Sequence, residues 1–358
     1  MFSILDSKLI IIGDGIFWNP EKVLTLPHDG YLINDSLFFC NEKNFSSMVQ
    51  AIPFSTYDGF AIKNILANVL KIPSAVVLQS SNFTKIIQRR CRDLKISFCF
   101  TNVSNRPQFI AQFCREHRCT LREIAIFDNQ LTPSDFLEEQ PKFLFSKDKF
   151  KNITQHPIRT FINTFADKNV DVLSYYNETR MKRDDFFISP MEKQIGVLIC
   201  DIDGTCTDGF KIYGEDNSEW KRFSPTDIQS LKNWNSSGRL SFLITGESGP
   251  IPQKFAAQCH MPKEQLFLNA SNKKVQILCD ICQKHTLHPS EIAYIGDDMN
   301  DLGIIEYLLR TNGIAACPAN AMPLIKNIPN ILQLKTIGGY GAVAEFIEII
   351  NRLPKMQR

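Results

Sequence analysis

Short apolar runs alternate with amphipathic segments along the C-terminal half of the chain. The apolar runs end in polar turns, which is the pattern of buried parallel strands, and the segments between them have helical spacing. Strands that alternate with helices predict an α/β fold with a parallel sheet. The predicted elements are strand 196–204, hairpin 210–223, helix 226–237, strand 239–247, helix 273–286 and strand 291–298.

The N-terminal half repeats this order of patterns. The segments 8–15, 54–65 and 74–81 parallel 197–204, 223–234 and 240–247. Residues 98–128 match 267–296 in two blocks with one gap, and several matches in the same order indicate a tandem duplication of one domain. We therefore predict domains at 1–165 and 196–358, joined by a polar linker at 166–195. The matched pairs include Asn102 with Asn269, Asn105 with Asn272, Gln108 with Gln276, and His117 with His285.

Composition narrows the class of protein. The 358 residues are 44% hydrophobic and 22% charged, and the net charge of +2 gives no electrostatic case for a nucleic acid or an anionic membrane. Eleven scattered cysteines, several of them in apolar runs, favour reduced thiols in the cytoplasm. No apolar run reaches the roughly 18 residues that a membrane span needs, and the first residues lack the features of a signal peptide.

Two aspartates follow directly on the apolar run that opens the C-terminal half. The side chain of Ile202 points to the opposite face, so Asp201 and Asp203 converge on one side. Ligands of open parallel sheets bind at the carboxyl ends of the strands, and a buried carboxylate pair needs a positive partner such as a divalent cation. A solvated turn is the simpler alternative, because Asp and Gly are common in turns.

Three further segments would complete a phosphate site. The hydroxyl and backbone N–H of Thr245-Gly246 can hold a phosphoryl oxygen. Lys274 opens a helix and can neutralise phosphate charge, with Lys273 as its rival. Asp297 and Asp298 end the third strand and add acidic metal ligands. Four such features in order, each at the right end of its element, favour phosphate chemistry over unrelated turns.

These motifs resemble the haloacid dehalogenase superfamily. Within it they are most similar to capless phosphatases of 2-keto-3-deoxy sugar-acid phosphates, which include the Kdo-8-phosphate, KDN-9-phosphate and N-acylneuraminate-9-phosphate phosphatases. The resemblance covers about residues 196–352, through DIDGTCTDG, AYIGDDMND, ACPANAMPLI and GGYGAVAEF. It implies two tandem Rossmann-like domains of this type, each a parallel sheet flanked by helices with a β-hairpin insertion, and Mg²⁺ as cofactor.

The resemblance also implies a two-step hydrolysis. Asp201 would attack phosphorus to form an aspartyl phosphate, and Asp203 would protonate the leaving sugar oxygen and later activate water. Thr245 and Lys274 would bind the transferring phosphoryl group. Mg²⁺ would offset the developing charge. The implied metal set is Asp201, Asp203 (through its backbone carbonyl), Asp297 and Asp298, and the implied substrate-binding set is Gly204, Thr205, Gly246 and Glu247.

Substrate choice depends on the residue after Thr245-Gly246. The resembling nonulosonate phosphatases carry Glu there, as this chain does at Glu247, whereas many Kdo-8-phosphate members carry Arg. This favours a nine-carbon acid sugar. The chain departs from the family where 225–228 replaces an RDG block, at Thr336 and Ile337, which replace basic residues, and at Ala344, which replaces Arg. In the family such basic residues recognise the carboxylate of the substrate, because guanidinium groups suit carboxylates best. The departures therefore argue against the usual mode of carboxylate recognition in this chain.

The N-terminal half is expected to be a degenerate, inactive copy. Aligning Asp14-Gly15 with Asp203-Gly204 sets Ile12 against the nucleophile Asp201, and Gln79 or Ser80 against Thr245. The neutral amides of Asn129 and Gln130 replace Asp297 and Asp298, which predicts loss of metal affinity. The copy keeps Asp58-Gly59, and Arg106 corresponds to Lys273 or Lys274.

Two other functions remain open. The protein could be a non-catalytic regulatory or assembly protein, or a phosphatase of another small phosphometabolite. The resembling phosphatases commonly form tetramers in which a neighbour helps to close the active site. The inactive copy could supply part of that assembly, so that a homodimer would act as a pseudo-tetramer.

Overall fold

The computed structural model describes residues 7–13, 16–17, 24–26, 31–33, 36–41, 49–79, 82–136, 139–145, 158 and 195–353. The chain divides into two compact units. The N-terminal unit comprises 1–26, 48–175 and 211–218, and the C-terminal unit comprises 27–47, 176–210 and 219–358. Neither unit is therefore continuous in sequence, unlike the predicted domains. The predicted linker lies outside the described residues, apart from Ile195.

Strands and helices alternate along most of the described chain. The strands are β1 Leu9–Ile12, β2 Leu24–Leu26, β3 Tyr31–Ile33, β4 Ser36–Cys40, β5 Val49–Ser55, β6 Ser74–Val77, β7 Phe98–Phe100, β8 Ile124–Phe127, β9 Phe143–Phe145, β10 Val197–Cys200, β11 Phe210–Gly214, β12 Glu219–Phe223, β13 Leu240–Ile244, β14 Leu266–Phe267, β15 Ile292–Ile295, β16 Ile314–Cys317 and β17 Leu332–Gln333. The helices are α1 Thr56–Phe60 with a π-helical continuation Ala61–Val69, α2 Thr84–Asp93, α3 Arg106–Glu116, α4 Pro225–Ser236, α5 Pro250–Gln258, α6 Lys274–His285, α7 Leu302–Arg310, α8 Pro323–Lys326 and α9 Ala342–Arg352.

Each unit contains one parallel sheet with the same strand order. The N-terminal sheet runs β7-β6-β1-β8-β9, and the C-terminal sheet runs β14-β13-β10-β15-β16-β17. In each sheet the first strand in sequence lies in the middle and is fully buried, which explains why both read as unbroken apolar runs. The predicted α/β architecture with two tandem parallel sheets is confirmed.

Backbone geometry repeats as well, which supports the duplication. Asn102 and Asn269 have left-handed φ values of 62° and 54° after equivalent strands. Arg118 and Thr286 have φ values of 55° and 54° after the equivalent helices α3 and α6. Left-handed backbone is uncommon for residues other than Gly, so matched positions indicate a shared local fold.

An N-terminal strand belongs to the C-terminal unit. Strand β4 pairs antiparallel with β12, and Phe223 lies opposite Leu37 in this register. Phe39 is 4% exposed, belongs to the C-terminal core and has its ring centroid 5.3 Å from that of Phe223. Lys254 donates to the Cys40 carbonyl at 2.7 Å. The C-terminal core therefore includes residues far upstream of position 195.

No helix among the described residues is long and apolar enough to cross a membrane.

Candidate active site

The predicted nucleophile lies where the central strand of the C-terminal sheet ends. Asp201 follows β10, is 3% exposed, and its backbone N–H donates to Ile295 O at 3.0 Å. The chain then turns sharply through 202–206, with Gly204 at φ 92°, where a side chain would be strained. A Cβ on Gly338 would collide with the Gly204 carbonyl, so the tail segment packs directly against this turn.

Lys274 reaches Asp201 from the first turn of α6. Its ammonium lies 2.5 Å from Asp201 Oδ1 and 2.5 Å from Asp301 Oδ1, and the side chain is 2% exposed. Lys273 precedes the helix and is exposed. Of the two rival lysines, Lys274 is therefore the one that can act on a group bound at Asp201.

Asp301 organises the site and was not among the predicted residues. Its Oδ1 accepts from Lys274 and from the Tyr294 hydroxyl, and its Oδ2 accepts from the backbone N–H groups of Asp297 (2.9 Å) and Asp298 (3.0 Å). Gly296 lacks a Cβ that would collide with this carboxylate. One buried carboxylate thus links Lys274 to the acidic loop after β15.

Three carboxylates converge at the strand ends. Oxygens of Asp201, Asp297 and Asp301 all lie within 4.8 Å of one another, and all three residues are buried. The Thr205 hydroxyl donates to Asp297 Oδ1 at 2.8 Å and is itself fully buried. Carboxylate oxygens at this spacing suit a hard divalent cation.

The two other predicted metal residues have different surroundings. Asp298 Oδ1 accepts from the N–H of Met299 at 2.6 Å, as the cap of a short turn. The Asp203 carboxylate is held by Lys221 Nζ at 2.5 Å. Lys221 also lies 3.6 Å from Glu247 Oε1. The side chain of Asp203 is therefore directed at Lys221 rather than into the three-carboxylate cluster.

Thr245 and Gly246 lie at the end of β13, beside β10. Thr245 is 1% exposed, and its hydroxyl oxygen accepts from the N–H of Glu247 at 3.1 Å. A Cβ on Gly246 would collide with the Ser271 side chain. The small residue at 246 therefore lets the loop before α6 approach the strand end.

Burial and pairing act in opposite directions on both members of the central ion pair. It raises the pKa of Asp201 to about 8, against the opposing pull of Lys274. Burial also disfavours the charge of Lys274, but Asp201 and Asp301 outweigh it and raise the pKa of that lysine. A cation bound nearby would lower this pKa and favour the charged form of the carboxyl.

The segment that departs from the family pattern has a structural role. Asp227 in α4 is fully buried, and its Oδ1 accepts from the N–H of Ala344 at 2.8 Å at the start of α9. Its Oδ2 is buried without a hydrogen-bond partner among the described residues. Desolvation raises the pKa of Asp227 to about 7. The carboxyl thus caps the last helix and fixes the tail beside the active site.

The N-terminal alignment was wrong by one residue at the strand ends. Gly13 donates to Phe127 O at 2.7 Å, as Asp201 does to Ile295 O, so Gly13 and not Ile12 stands at the nucleophile position. Ile12 is the last residue of β1 and is fully buried. The repeated Asp-Gly dipeptide had shifted the alignment, and its members Asp14 and Gly15 lie outside the described residues.

The Thr245 position was also wrong by one residue. Thr245 donates its N–H to Phe267 O at 2.9 Å, and in the N-terminal unit Leu78 donates to Phe100 O at the same distance. Leu78, rather than Gln79 or Ser80, is therefore the counterpart of Thr245. Leucine has no hydroxyl for a phosphoryl oxygen.

An internal ion pair fills the N-terminal counterpart of the site. Arg106 is the first residue of α3, as Lys274 is of α6. Arg106 is therefore the counterpart of Lys274 and not of Lys273. It pairs with Asp128, and both side chains are buried. Asp128 Oδ1 also accepts from the N–H groups of Gln130 (2.7 Å) and Leu131 (2.9 Å). In the N-terminal unit the carboxylate therefore follows β8, whereas Asp201 follows β10, which is the counterpart of β1. Arg106 and two backbone N–H groups of the same unit bind this carboxylate.

Sequence reasoning missed Lys221, Tyr294 and Asp301. Asp301 had a signal, since it lies four residues after Asp297 in the same acidic block. Tyr294 lies within an apolar strand and Lys221 within a hairpin, so no local pattern separates them from packing or surface residues. Only their contacts reveal them.

Comparisons with known proteins agree with the motifs. No family model matches the chain. The 3-deoxy-D-manno-octulosonate 8-phosphate phosphatase KdsC of Escherichia coli K12 is 29% identical over 159 residues, which cover 44% of this chain and 80% of that protein. A solved phosphatase of the same name from Moraxella catarrhalis, in complex with magnesium, phosphate and KDO, is 25% identical, covers 51% of this chain and 91% of its own, and gives a TM-score of 0.40.

The match to a further relative covers most of that relative's length. KdsC of Yersinia pestis is 30% identical over 161 residues, which cover 44% of this chain and 79% of that protein. The matched length is about that of one parallel-sheet domain and not of two. This chain belongs to the KdsC family of haloacid dehalogenase-type phosphatases.

Proposed function

We propose that the C-terminal unit is a Mg²⁺-dependent phosphatase of a 2-keto-3-deoxy sugar-acid phosphate. The observation that carries the proposal is the buried cluster in which Lys274 joins Asp201 and Asp301 at the strand ends. A lysine this buried is rare unless it is paired, and pairing it with a strand-end aspartate prepares a site for a phosphoryl group.

The residues present fit a magnesium ion. Asp201 and Asp297 offer carboxylate oxygens in a buried pocket, and Thr205 holds Asp297 in place. Asp301 already accepts four hydrogen bonds, so we assign it to orienting the other groups. The Asp203 backbone carbonyl and Asp298 remain proposed contributors. When bound, Mg²⁺ supplies positive charge that offsets the charge developing on the phosphoryl oxygens.

The side chains then divide the work of hydrolysis. Asp201 is the proposed nucleophile that attacks phosphorus, and the bond to the sugar oxygen breaks as the aspartyl phosphate forms. Asp203 gives that oxygen its proton and then takes one from a water that attacks phosphorus, which breaks the bond to the aspartyl oxygen, releases phosphate and restores Asp201. Lys274 and Thr245 hold the phosphoryl oxygens throughout. The N-terminal unit takes no part, because Gly13 and Leu78 lack the functional groups of Asp201 and Thr245.

Two acid sugars compete as the natural substrate. The relatives are Kdo-8-phosphate phosphatases by name, which supports an eight-carbon sugar acid. Glu247 supports a nonulosonate 9-phosphate, such as that of KDN or an N-acylneuraminate. We therefore propose 2-keto-3-deoxy sugar-acid phosphates as the substrate class, and the assay below identifies the individual sugar.

The test is phosphate release with Mg²⁺ from Kdo-8-phosphate, KDN-9-phosphate and N-acetylneuraminate-9-phosphate. Turnover of one sugar well above the others identifies the substrate. Turnover of p-nitrophenyl phosphate alone would point to a phosphatase of another metabolite. If the folded protein hydrolyses none of the four, the catalytic proposal fails and a regulatory or assembly role takes its place.

The proposed assembly is a homodimer that acts as a pseudo-tetramer of domains. It is supported by the resemblance to phosphatases that commonly form tetramers and by the two parallel sheets within one chain, which would supply two domains per subunit. A mass measurement in solution should give two chains per particle. A stable monomer with full activity would contradict it.

A further inference from the structure

Lys221 is a buried cation in the strand beside the proposed active site. It is 1% exposed, and its strand neighbours Trp220 and Phe223 are fully buried. An ammonium group in such surroundings is costly unless it is paired. Its partners are carboxylates of two different loops, Asp203 after β10 and Glu247 after β13.

The two contacts differ in strength. Lys221 Nζ lies 2.5 Å from Asp203 Oδ1, which is a charge-assisted hydrogen bond, and 3.6 Å from Glu247 Oε1, which is an ion pair at longer range. The partners are more open than the lysine, with Asp203 21% and Glu247 33% exposed. The ammonium is therefore much more buried than either of its carboxylate partners.

The contact with Asp203 bears on proton transfer. A general acid or base must lie within hydrogen-bond reach of the reacting oxygen, and small misplacements reduce the rate steeply. One oxygen of Asp203 is fixed by Lys221, which orients the carboxyl as a whole. Lys221 is itself shielded from solvent and acts through this carboxylate.

We propose that Lys221 is a positioning residue that holds Asp203 in the orientation from which it protonates the leaving sugar oxygen, and that its longer-range ion pair keeps Glu247 beside Asp203. This inference rests on the proposed phosphatase function. It makes the hairpin strand β12 part of the catalytic apparatus.

Leaving-group chemistry separates this role from a structural one. A sugar alkoxide is a poor leaving group and needs the proton, whereas p-nitrophenolate leaves without it. The variant Lys221→Met should lower kcat/KM for the sugar phosphate by about 100-fold or more, and for p-nitrophenyl phosphate by less than about 10-fold. The control Lys284→Met removes one exposed lysine of the same unit and should change neither value.

A double-mutant cycle tests whether Lys221 works through Asp203. In an Asp203→Asn background, Lys221→Met should cause no further selective loss, because the positioned group is gone. If Lys221→Met does not fold, Lys221→Arg keeps the charge with a different reach and should show a smaller loss with the same selectivity.

The outcomes are distinct for the two proposals. Equal losses on both substrates, or an undiminished selective loss in the Asp203→Asn background, would overturn the positioning role while leaving the phosphatase intact. A wild-type protein that hydrolyses neither substrate would overturn the phosphatase, and the positioning role with it.

Discussion

The carboxylate of Asp128 lies so close to the α-carbon of Gly13 that no Cβ fits between them. Gly13 occupies the place of Asp201, the proposed nucleophile, and Asp128 extends from the end of the neighbouring strand into the space that a side chain at position 13 would take. The N-terminal unit thus retains a carboxylate and a cation at its strand ends, but they are engaged with each other.

The first prediction concerns this packing. Gly13→Ala should lower the free energy of unfolding by about 1–3 kcal/mol, because the methyl group must displace a buried ion pair. Urea unfolding measures it. Gly196→Ala is the matched control, since a Cβ there meets nothing within 4 Å, and it should change stability by less than about 0.5 kcal/mol. Equal effects would show that the Asp128 contact is unimportant.

The second prediction concerns strand β4, which comes from the N-terminal part of the sequence but belongs to the C-terminal unit. Phe39→Ala should destabilise the C-terminal unit by about 3–5 kcal/mol, because it empties a place in that unit's core beside Phe223. Thermal unfolding followed together with phosphatase activity measures it. Leu353→Ala, at an exposed position, should have almost no effect. A stable, active Phe39→Ala protein would mean that β4 does not support the active unit.

The third prediction concerns pH and Asp227. Its pKa is raised from 3.8 to about 7 in the folded state, so between these values the folded protein binds a proton that the unfolded chain has released. Stability therefore falls as pH rises through this window, by up to about 1.4 kcal/mol per pH unit, and levels off above it.

The measurement is urea unfolding at pH 5 and pH 8. Asp227→Asn keeps an acceptor for the start of α9 without a charge, so its loss of stability between the two pH values should be smaller by about 2 kcal/mol. The exposed control Asp280→Asn should keep the wild-type difference. An unchanged difference in Asp227→Asn would show that this carboxyl is not the group responsible.

The fourth prediction concerns the organising carboxylate. Asp301→Asn keeps the shape of Asp301 but weakens its hold on Lys274 and on the loop of Asp297. The Mg²⁺ concentration for half-maximal activity should rise by about 10- to 100-fold, as for other residues that orient metal ligands. Magnesium titration of the activity measures it. An unchanged titration curve would assign Asp301 to folding alone.

Sequence patterns located the main groups of the site because these groups follow buried strands. Asp201 and Thr245 come directly after an apolar run, and Asp297 follows one after a single glycine. Parallel strands bring such ends to one edge. The patterns were less accurate in the degenerate half. There, a repeated Asp-Gly pair outweighed the strand register and set Ile12 in place of Gly13.

Contacts between distant segments were beyond the reach of local patterns. The pairing of β4 with β12 joins residues more than 170 positions apart in sequence, for instance Cys40 with Trp220. Lys221 looks like an ordinary hairpin lysine until Asp203 and Glu247 are seen around it. Such groups are recognised by their three-dimensional partners and not by their spacing.

The central claim is that Asp201 makes this chain a phosphatase. The most direct test compares phosphate release from Kdo-8-phosphate and the two 9-phosphates, with Mg²⁺, by wild type, Asp201→Asn and the exposed control Asp280→Asn. We expect the control to match wild type and Asp201→Asn to lose at least about 1,000-fold in kcat while remaining folded, because loss of a nucleophile removes the chemical step itself. An Asp201→Asn protein that retains wild-type turnover would contradict the account.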